Sequence, residues 1–222
     1  MQIIRNLLCA AAIVLAAVSS ASAAEPKSGV EYITLPEVQN TDAGKKVEVT
    51  EFFAYYCPHC NRFEPLLAEW VRKQGANIVF KRVHVSNGPG VMAQQRLFYT
   101  LEALGLLDQY HAKVFHAMHV ERQRLATDEA VLDWAVKSGI DRAKFVDAWN
   151  SFGTQAKLRR ADAMMAAYRV NEWPLVAIDG RFITSPSQAG GASTAAQTET
   201  EQQQAALQVM GYLVAKAKAE KK

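Results

Sequence analysis

The sequence predicts an α/β fold into which a helical domain is inserted. A β-branched and aromatic run from Val47 to Tyr56 passes through Cys57-Pro58-His59-Cys60 into an amphipathic stretch from Asn61 to Val71. That is the pattern of a buried strand turning into a helix. Residues 91–169 then repeat apolar side chains at helical spacing and carry no strand signal. Strand character returns in Trp173 to Ile178 and in Arg181 to Thr184, joined by Asp179-Gly180. This dipeptide suits a two-residue hairpin turn.

In chain order, residues 1–23 read as a secretory signal peptide. Arg5 supplies the positive charge, Leu7 to Val18 the apolar stretch, and Ala21-Ser22-Ala23 the cleavage site. The apolar stretch is far shorter than the roughly 20 residues a membrane span needs. Cys9 lies inside it and leaves with it. About 200 residues remain, enough to bury a sizeable core in one or two domains. Lys and Arg total 25 against 22 Asp and Glu, a formal net charge of +3, and loss of Arg5 leaves +2. No nucleic acid or other strongly charged partner is implied by so small a charge.

Val30 to Leu35 reads as an edge strand and Asn40 to Gly44 as a turn. Gly75-Ala76-Asn77 ends the first long helix, and Ile78 to Val85 is the next strand. Ser86 to Gly90 marks a boundary. Within the helical block, Met92, Leu97, Leu101 and Leu104 line one face. Thr127-Asp128-Glu129 starts a helix that Ser138-Gly139 stops, and Asp141 starts another. Ser185 to Thr198 reads as a polar loop. Glu199 to Lys218 is the last helix, and the basic tail from Lys216 to Lys222 reads as its solvated end, where lysines suit the helix dipole.

The chemistry is expected at the cysteine pair. Unpaired N–H groups and a partial positive charge at a helix start stabilise a thiolate. Cys57 is expected to be the exposed, reactive sulfur and Cys60, one turn on, the resolving thiol. A C-x-x-C at a strand-to-helix turn reads as a thioredoxin-like redox site. Zinc normally needs four ligands, and Cys9 is the only other cysteine. A merely structural bridge would close too short a loop to constrain the unfolded chain much. His59, between the cysteines, can lower the pKa of the reactive thiol, and Pro58 stiffens the turn. Glu51 lies on a strand that otherwise reads as buried, so it needs a partner such as Arg82 or Lys81. Glu64 reads as a surface residue and His84 as packed or hydrogen-bonded. Tyr55, Tyr56 and Phe63 form an apolar rim or core. Only His116 and His119, of the three histidines from His111 to His119, share helix-neighbour spacing. No metal site is expected there.

Glu51 to Cys60 with Phe63-Glu64, Asp147 to Phe152, and Trp173 to Phe182 together resemble the DsbA family of periplasmic thiol:disulfide oxidoreductases. The resemblance covers most of the mature chain, and Cys-Pro-His-Cys is its specific part. It implies a thioredoxin-like fold built from residues 24–88 and 170–222, with residues 89–169 as an inserted helical domain. It implies donation of a Cys57–Cys60 disulfide to newly exported proteins with free thiols, without a cofactor. A DsbB-like quinone-linked membrane protein would re-oxidise the pair. Pro174 is implied to be cis and to face the disulfide, with the backbone of Trp173 pairing with substrate. Members of the family more often carry Val at the position of Trp173. Glu51, with Arg82 beside it, is implied to assist proton movement. A periplasmic monomer is expected. Two other readings use the same residues: a disulfide isomerase or reductase, and a peptide-binding, chaperone-like module with incidental cysteines.

Overall fold

The computed structural model describes residues 25–191, 193 and 197–221. The leader read at residues 1–23, Cys9 included, lies outside the described residues. The chain runs β1 (Ile33–Thr34), β2 (Val47–Phe53), α1 (Pro58–Gln74) and β3 (Ile78–His84). It continues with α2 (Pro89–Ala103), α3 (Leu107–His119), α4 (Asp128–Lys137), α5 (Arg142–Asn150) and α6 (Phe152–Ala167). It closes with β4 (Leu175–Ile178), β5 (Phe182–Thr184), α7 (Pro186–Gly190) and α8 (Glu199–Glu220). Among the described residues no helix is long and apolar enough to cross a membrane.

The sheet has the order β1-β5-β4-β2-β3. β2 pairs parallel with β3 and antiparallel with β4, so it is an inner strand with neighbours on both sides. All seven of its residues are buried, as its run of branched and aromatic side chains requires. Two apolar clusters flank it. Val47 and Val49 pack with Phe63 and Leu67 of α1 and with Met210 and Leu213 of α8. Phe52 and Phe53 pack with Leu97, Phe98 and Leu101 of α2 and with Val114 and Phe115 of α3. The helices between β3 and β4 therefore share a core with the sheet.

Several expected boundaries hold for the expected reasons. Thr127 caps α4 by accepting from Ala130 N, and Asp141 caps α5 by accepting from Lys144 N at 2.8 Å. Gly139, with φ 91°, ends the α4 segment.

Three expectations need correction. The edge strand is only the pair Ile33–Thr34, because residues 29–31 form a turn, with Gly29 at φ 85° and its N–H donating to the Tyr32 carbonyl at 2.7 Å. The segment from Ser185 to Thr198 is not all loop. It contains α7, which begins at Pro186 and is capped by the Ser185 hydroxyl accepting from Gln188 N at 3.0 Å. Five small and polar residues are too few to show a helical period. Nor is the basic tail wholly solvated. Lys221 Nζ lies 2.6 Å from the Asp179 carboxylate and donates to the Lys46 carbonyl at 2.6 Å. Asp179 is only 6% exposed, and a buried carboxylate needs such a partner.

The β4–β5 connection places Asp179 at φ 53° and Gly180 at φ 66°, the paired left-handed geometry of a type I′ turn. A Cβ at position 180 would lie 2.1 Å from the Gln39 carbonyl oxygen. Gly180→Ala is therefore expected to destabilise the protein by about 1–3 kcal/mol. A urea midpoint equal to that of the wild type would show that the Gln39 segment yields without cost.

Candidate active site

β2 delivers the chain to Ala54, whose carbonyl accepts from Cys57 N at 3.1 Å and turns the backbone into α1. Cys57 is itself the N-cap of α1, with Pro58 as the first helical residue. Its sulfur stands where a serine or aspartate oxygen usually does and accepts from Cys60 N at 3.3 Å. The Cys57 pKa is held down to about 6. The contact with the Cys60 thiol contributes most, and the backbone N–H groups of Cys60 and His59 and the charge of His59 add to it against the opposing effect of burial. Burial pushes the Cys60 thiol far up, and the neighbouring Cys57 sulfur adds to that. Of the two thiols, Cys57 is thus the one whose anion is favoured.

They do not differ as expected in exposure. Cys57 is only 4% exposed and Cys60 is fully buried. The Cys57 thiol donates toward the Trp173 carbonyl at 3.6 Å, and the Tyr56 and Trp173 rings meet edge to face at 6.3 Å and pack against the same apolar cluster. The Trp173–Pro174 peptide is cis.

Beneath the cysteines lies a buried chain of charge. Glu51 is 1% exposed and sits opposite Arg82 in the parallel register. Arg82 Nε donates to Glu51 at 3.1 Å, and its Nη2 donates to Glu64 at 2.7 Å. Lys81, the other candidate partner of Glu51, instead pairs with Glu48 at 2.7 Å. Burial raises the Glu51 pKa to about 8 against the pull of Arg82, and the negative charges of Glu64 and Cys57 push the same way. Glu64 is not the surface residue expected, since its side chain is only 14% exposed. Burial would raise its pKa, but His111 and Arg82 outweigh that and hold it low.

His111 is one of the three histidines of α3 and the residue whose role the sequence conceals most. Its Nε2 lies 3.3 Å from Glu64, and its Nδ1 is 2.9 Å from the Tyr55 hydroxyl. The contact with Glu64 lacks aligned hydrogen-bond geometry, neither atom has another partner among the described residues, and burial lowers the His111 pKa against the pull of Glu64. The three histidines diverge. His119 Nε2 donates to the Tyr55 carbonyl at 2.7 Å, and His116 pairs with Glu121. His84 is fully buried, accepts from Tyr55 N at 3.1 Å and donates to the Val85 carbonyl. Burial takes its pKa down to about 3, so it is neutral. Among the described residues no group of His, Cys, Asp and Glu could hold a metal ion.

His59 points the other way, to the surface. Its Nδ1 lies 2.9 Å from Glu199 on α8, which also accepts from Arg62 at 2.7 Å. Glu199 is 140 residues from His59, so no local pattern could have joined them.

A cysteine pair where a buried strand turns into a helix, with the Trp173 carbonyl 3.6 Å from the Cys57 sulfur, defines a thioredoxin-fold dithiol protein. The model of the DSBA-like thioredoxin domain family matches residues 48–193, and the chain belongs to that family. It is 38% identical to the thiol:disulfide interchange protein DsbA of Bordetella parapertussis over 183 residues, 82% of this chain and 87% of that one. It is 33% identical to the protein of the same name from Pseudomonas aeruginosa over 189 residues, 84% of this chain and 90% of that one. The crystal structure of Pseudomonas aeruginosa DsbA superposes with a TM-score of 0.79 at 31% identity, covering 88% of this chain and 96% of that one.

The protonation of Glu51 can be read from stability. Its folded pKa of about 8 exceeds the ordinary 4.5. The stability it contributes is fully present below pH 4.5 and is lost as pH rises toward about 8. Glu51→Gln has no such loss. Across that window the reduced variant is expected to gain more than about 1 kcal/mol on the reduced wild type. A pH-independent difference in urea unfolding would show that Glu51 stays ionised throughout.

Proposed function

We propose that this chain is a thiol:disulfide oxidoreductase that works as a protein dithiol oxidase. The observation that carries the reading is the Cys57 sulfur at the N-cap of α1, with its pKa near 6. A stabilised thiolate favours the reduced protein, so the disulfide form is a strong acceptor of electrons. A reductase needs the opposite poise. A client thiolate attacks the Cys57 sulfur of the Cys57–Cys60 disulfide, and the S–S bond breaks toward Cys60. Cys60 keeps a proton at neutral pH, since burial disfavours its anion. Glu51, buried below it and protonated near neutrality, is the proposed donor, and Arg82 holds its carboxyl in place. A second client thiolate then attacks the client sulfur, and Cys57 leaves as its stabilised thiolate. Two electrons pass from the client to the enzyme.

Trp173 and Pro174 line the approach to Cys57, and the Trp173 backbone is the proposed contact for client polypeptide. Pro58 and His59 serve the thiolate from within the turn. The clients are newly exported proteins with free thiols, in a periplasm reached through the leader at residues 1–23. A DsbB-like quinone-linked membrane oxidase restores the disulfide. The enzyme is proposed to act as a monomer without a cofactor. Residues 24–88 and 170–222 form the thioredoxin-like domain, and residues 89–169 the inserted one.

The test is oxidation of a reduced, unfolded client by stoichiometric oxidised protein. Wild type is expected to complete it, and Cys57→Ser and Cys60→Ser, neither of which can hold the disulfide, to do nothing. Client oxidation by Cys57→Ser at the wild-type rate would refute the reading.

Iodoacetamide at pH 6 to 7 should alkylate Cys57 of the reduced protein at least tenfold faster than Cys60. Equal rates at the two sites would remove the assignment of roles.

The redox forms should also differ in stability. The folded Cys57 pKa of about 6 lies below the ordinary 9.0. Its contribution to the reduced form is fully present above pH 9.0 and is lost as pH falls through about 6. At pH 7 it amounts to at most about 1.4 kcal/mol, less whatever solvent at the opening screens. The reduced protein is therefore expected to be the more stable at pH 7, with the gap closing by pH 5. Urea unfolding of both forms decides it, and an oxidised form more stable at pH 7 contradicts the mechanism.

A further inference from the structure

Two side chains of the active-site turn, His59 and Arg62, end on a single carboxylate from the far end of the chain. Glu199 Oε1 is 2.9 Å from His59 Nδ1, and Glu199 Oε2 accepts from Arg62 Nε at 2.7 Å. Gln203, one turn along α8, places its Nε2 3.2 Å from Glu199 Oε1 and 3.5 Å from the His59 carbonyl. The start of α8 does not need this carboxylate for its own capping. Thr198 and Glu201 already form a complete capping box there. Both oxygens of Glu199 are spent instead on residues of α1.

The contacts also sort His59 from Arg62. Arg62 Nη2 lies 3.2 Å from the same His59 Nδ1. One nitrogen cannot give a proton to Glu199 and accept one from Arg62 together. A carboxylate only accepts, so Nδ1–H points to Glu199 and the guanidinium is drawn onto the carboxylate as well. Arg62 is close enough for a Cys57 thiolate to favour its charge.

We propose that Glu199 is a positioning residue that tempers the oxidising power of the Cys57–Cys60 pair, by drawing Arg62 and the His59 ring onto α8 and offsetting the charge of Arg62. The inference rests on the redox reading of the two cysteines. Any cation near Cys57 stabilises the thiolate of the reduced form and has no charge to act on in the disulfide. A carboxylate that neutralises such a cation therefore favours the disulfide. Glu199→Gln keeps the shape and an accepting oxygen but removes the charge. It should make the pair easier to reduce. Arg62→Gln removes the cation and should make it harder to reduce.

The experiment is equilibration of the full protein with mixtures of reduced and oxidised glutathione. Two glutathione thiols become one disulfide as Cys57–Cys60 becomes a dithiol, and the reduced fraction is read by alkylation and mass shift. Glu199→Gln is expected to raise the equilibrium constant toward reduced protein roughly threefold, and Arg62→Gln to lower it by a similar factor. The double variant should return close to wild type. In 1 M salt all three differences should shrink, because both side chains are partly exposed. A merely structural contact would not give opposite signs or a salt dependence. Unshifted constants, like-signed shifts or reversed signs overturn the proposal. A wild type with no glutathione-dependent transition takes down the redox reading itself, and this inference with it.

Discussion

An inner strand with seven buried residues in a row, two of them glutamates, is the constraint on which the rest of the structure depends. β2 must be buried to hold the sheet between its two apolar clusters, yet Glu48 and Glu51 cannot be buried alone. Each is answered from β3, by Lys81 and Arg82. The parallel register sets Arg82 directly opposite Glu51. Because the guanidinium has a fork of donors, Arg82 also reaches Glu64 on α1. One cation thus ties the sheet to the helix that carries both cysteines. Packing and chemistry meet at the same three side chains.

His84 and Tyr55 hold the other side of that junction. A neutral imidazole with both nitrogens bonded to backbone pins the end of β2 against the end of β3. His119 takes the Tyr55 carbonyl and His111 its hydroxyl, so α3 of the helical insertion grips the residue two before Cys57. The insertion is therefore part of what positions the catalytic turn, through hydrogen bonds as well as through the shared core around Phe53.

Much of this was legible in the sequence because it is local. The strand-to-helix turn, the caps at Thr127 and Asp141, and the left-handed turn at Asp179-Gly180 each depend on a few adjacent residues. The low pKa of Cys57 is only partly local, since the N–H groups of the helix start add to it while the burial that raises Cys60 comes from the whole core. What escaped depends on distance along the chain or on length. Glu64 looked superficial because its partners, Arg82 and His111, come from two other elements. Glu199 has a contact 140 residues away, and α7 is too short to show a period. The exposure expected of Cys57 failed for the same reason. The Trp173 segment that crowds it returns to the site only after five intervening helices.

Cys57 caps α1 with its sulfur, and that has a consequence for the covalent states. A sulfur bonded to another sulfur, whether Cys60 or a client, is a poor acceptor and carries no charge. In both of those states the first N–H groups of α1 lose the charged acceptor that a Cys57 thiolate offers. The cap is strongest when Cys57 is a free thiolate. The helix terminus thus acts as a bias within the fold that favours the last bond cleavage over the first attachment. A bound client is released by the same N–H groups that hold the empty site ready.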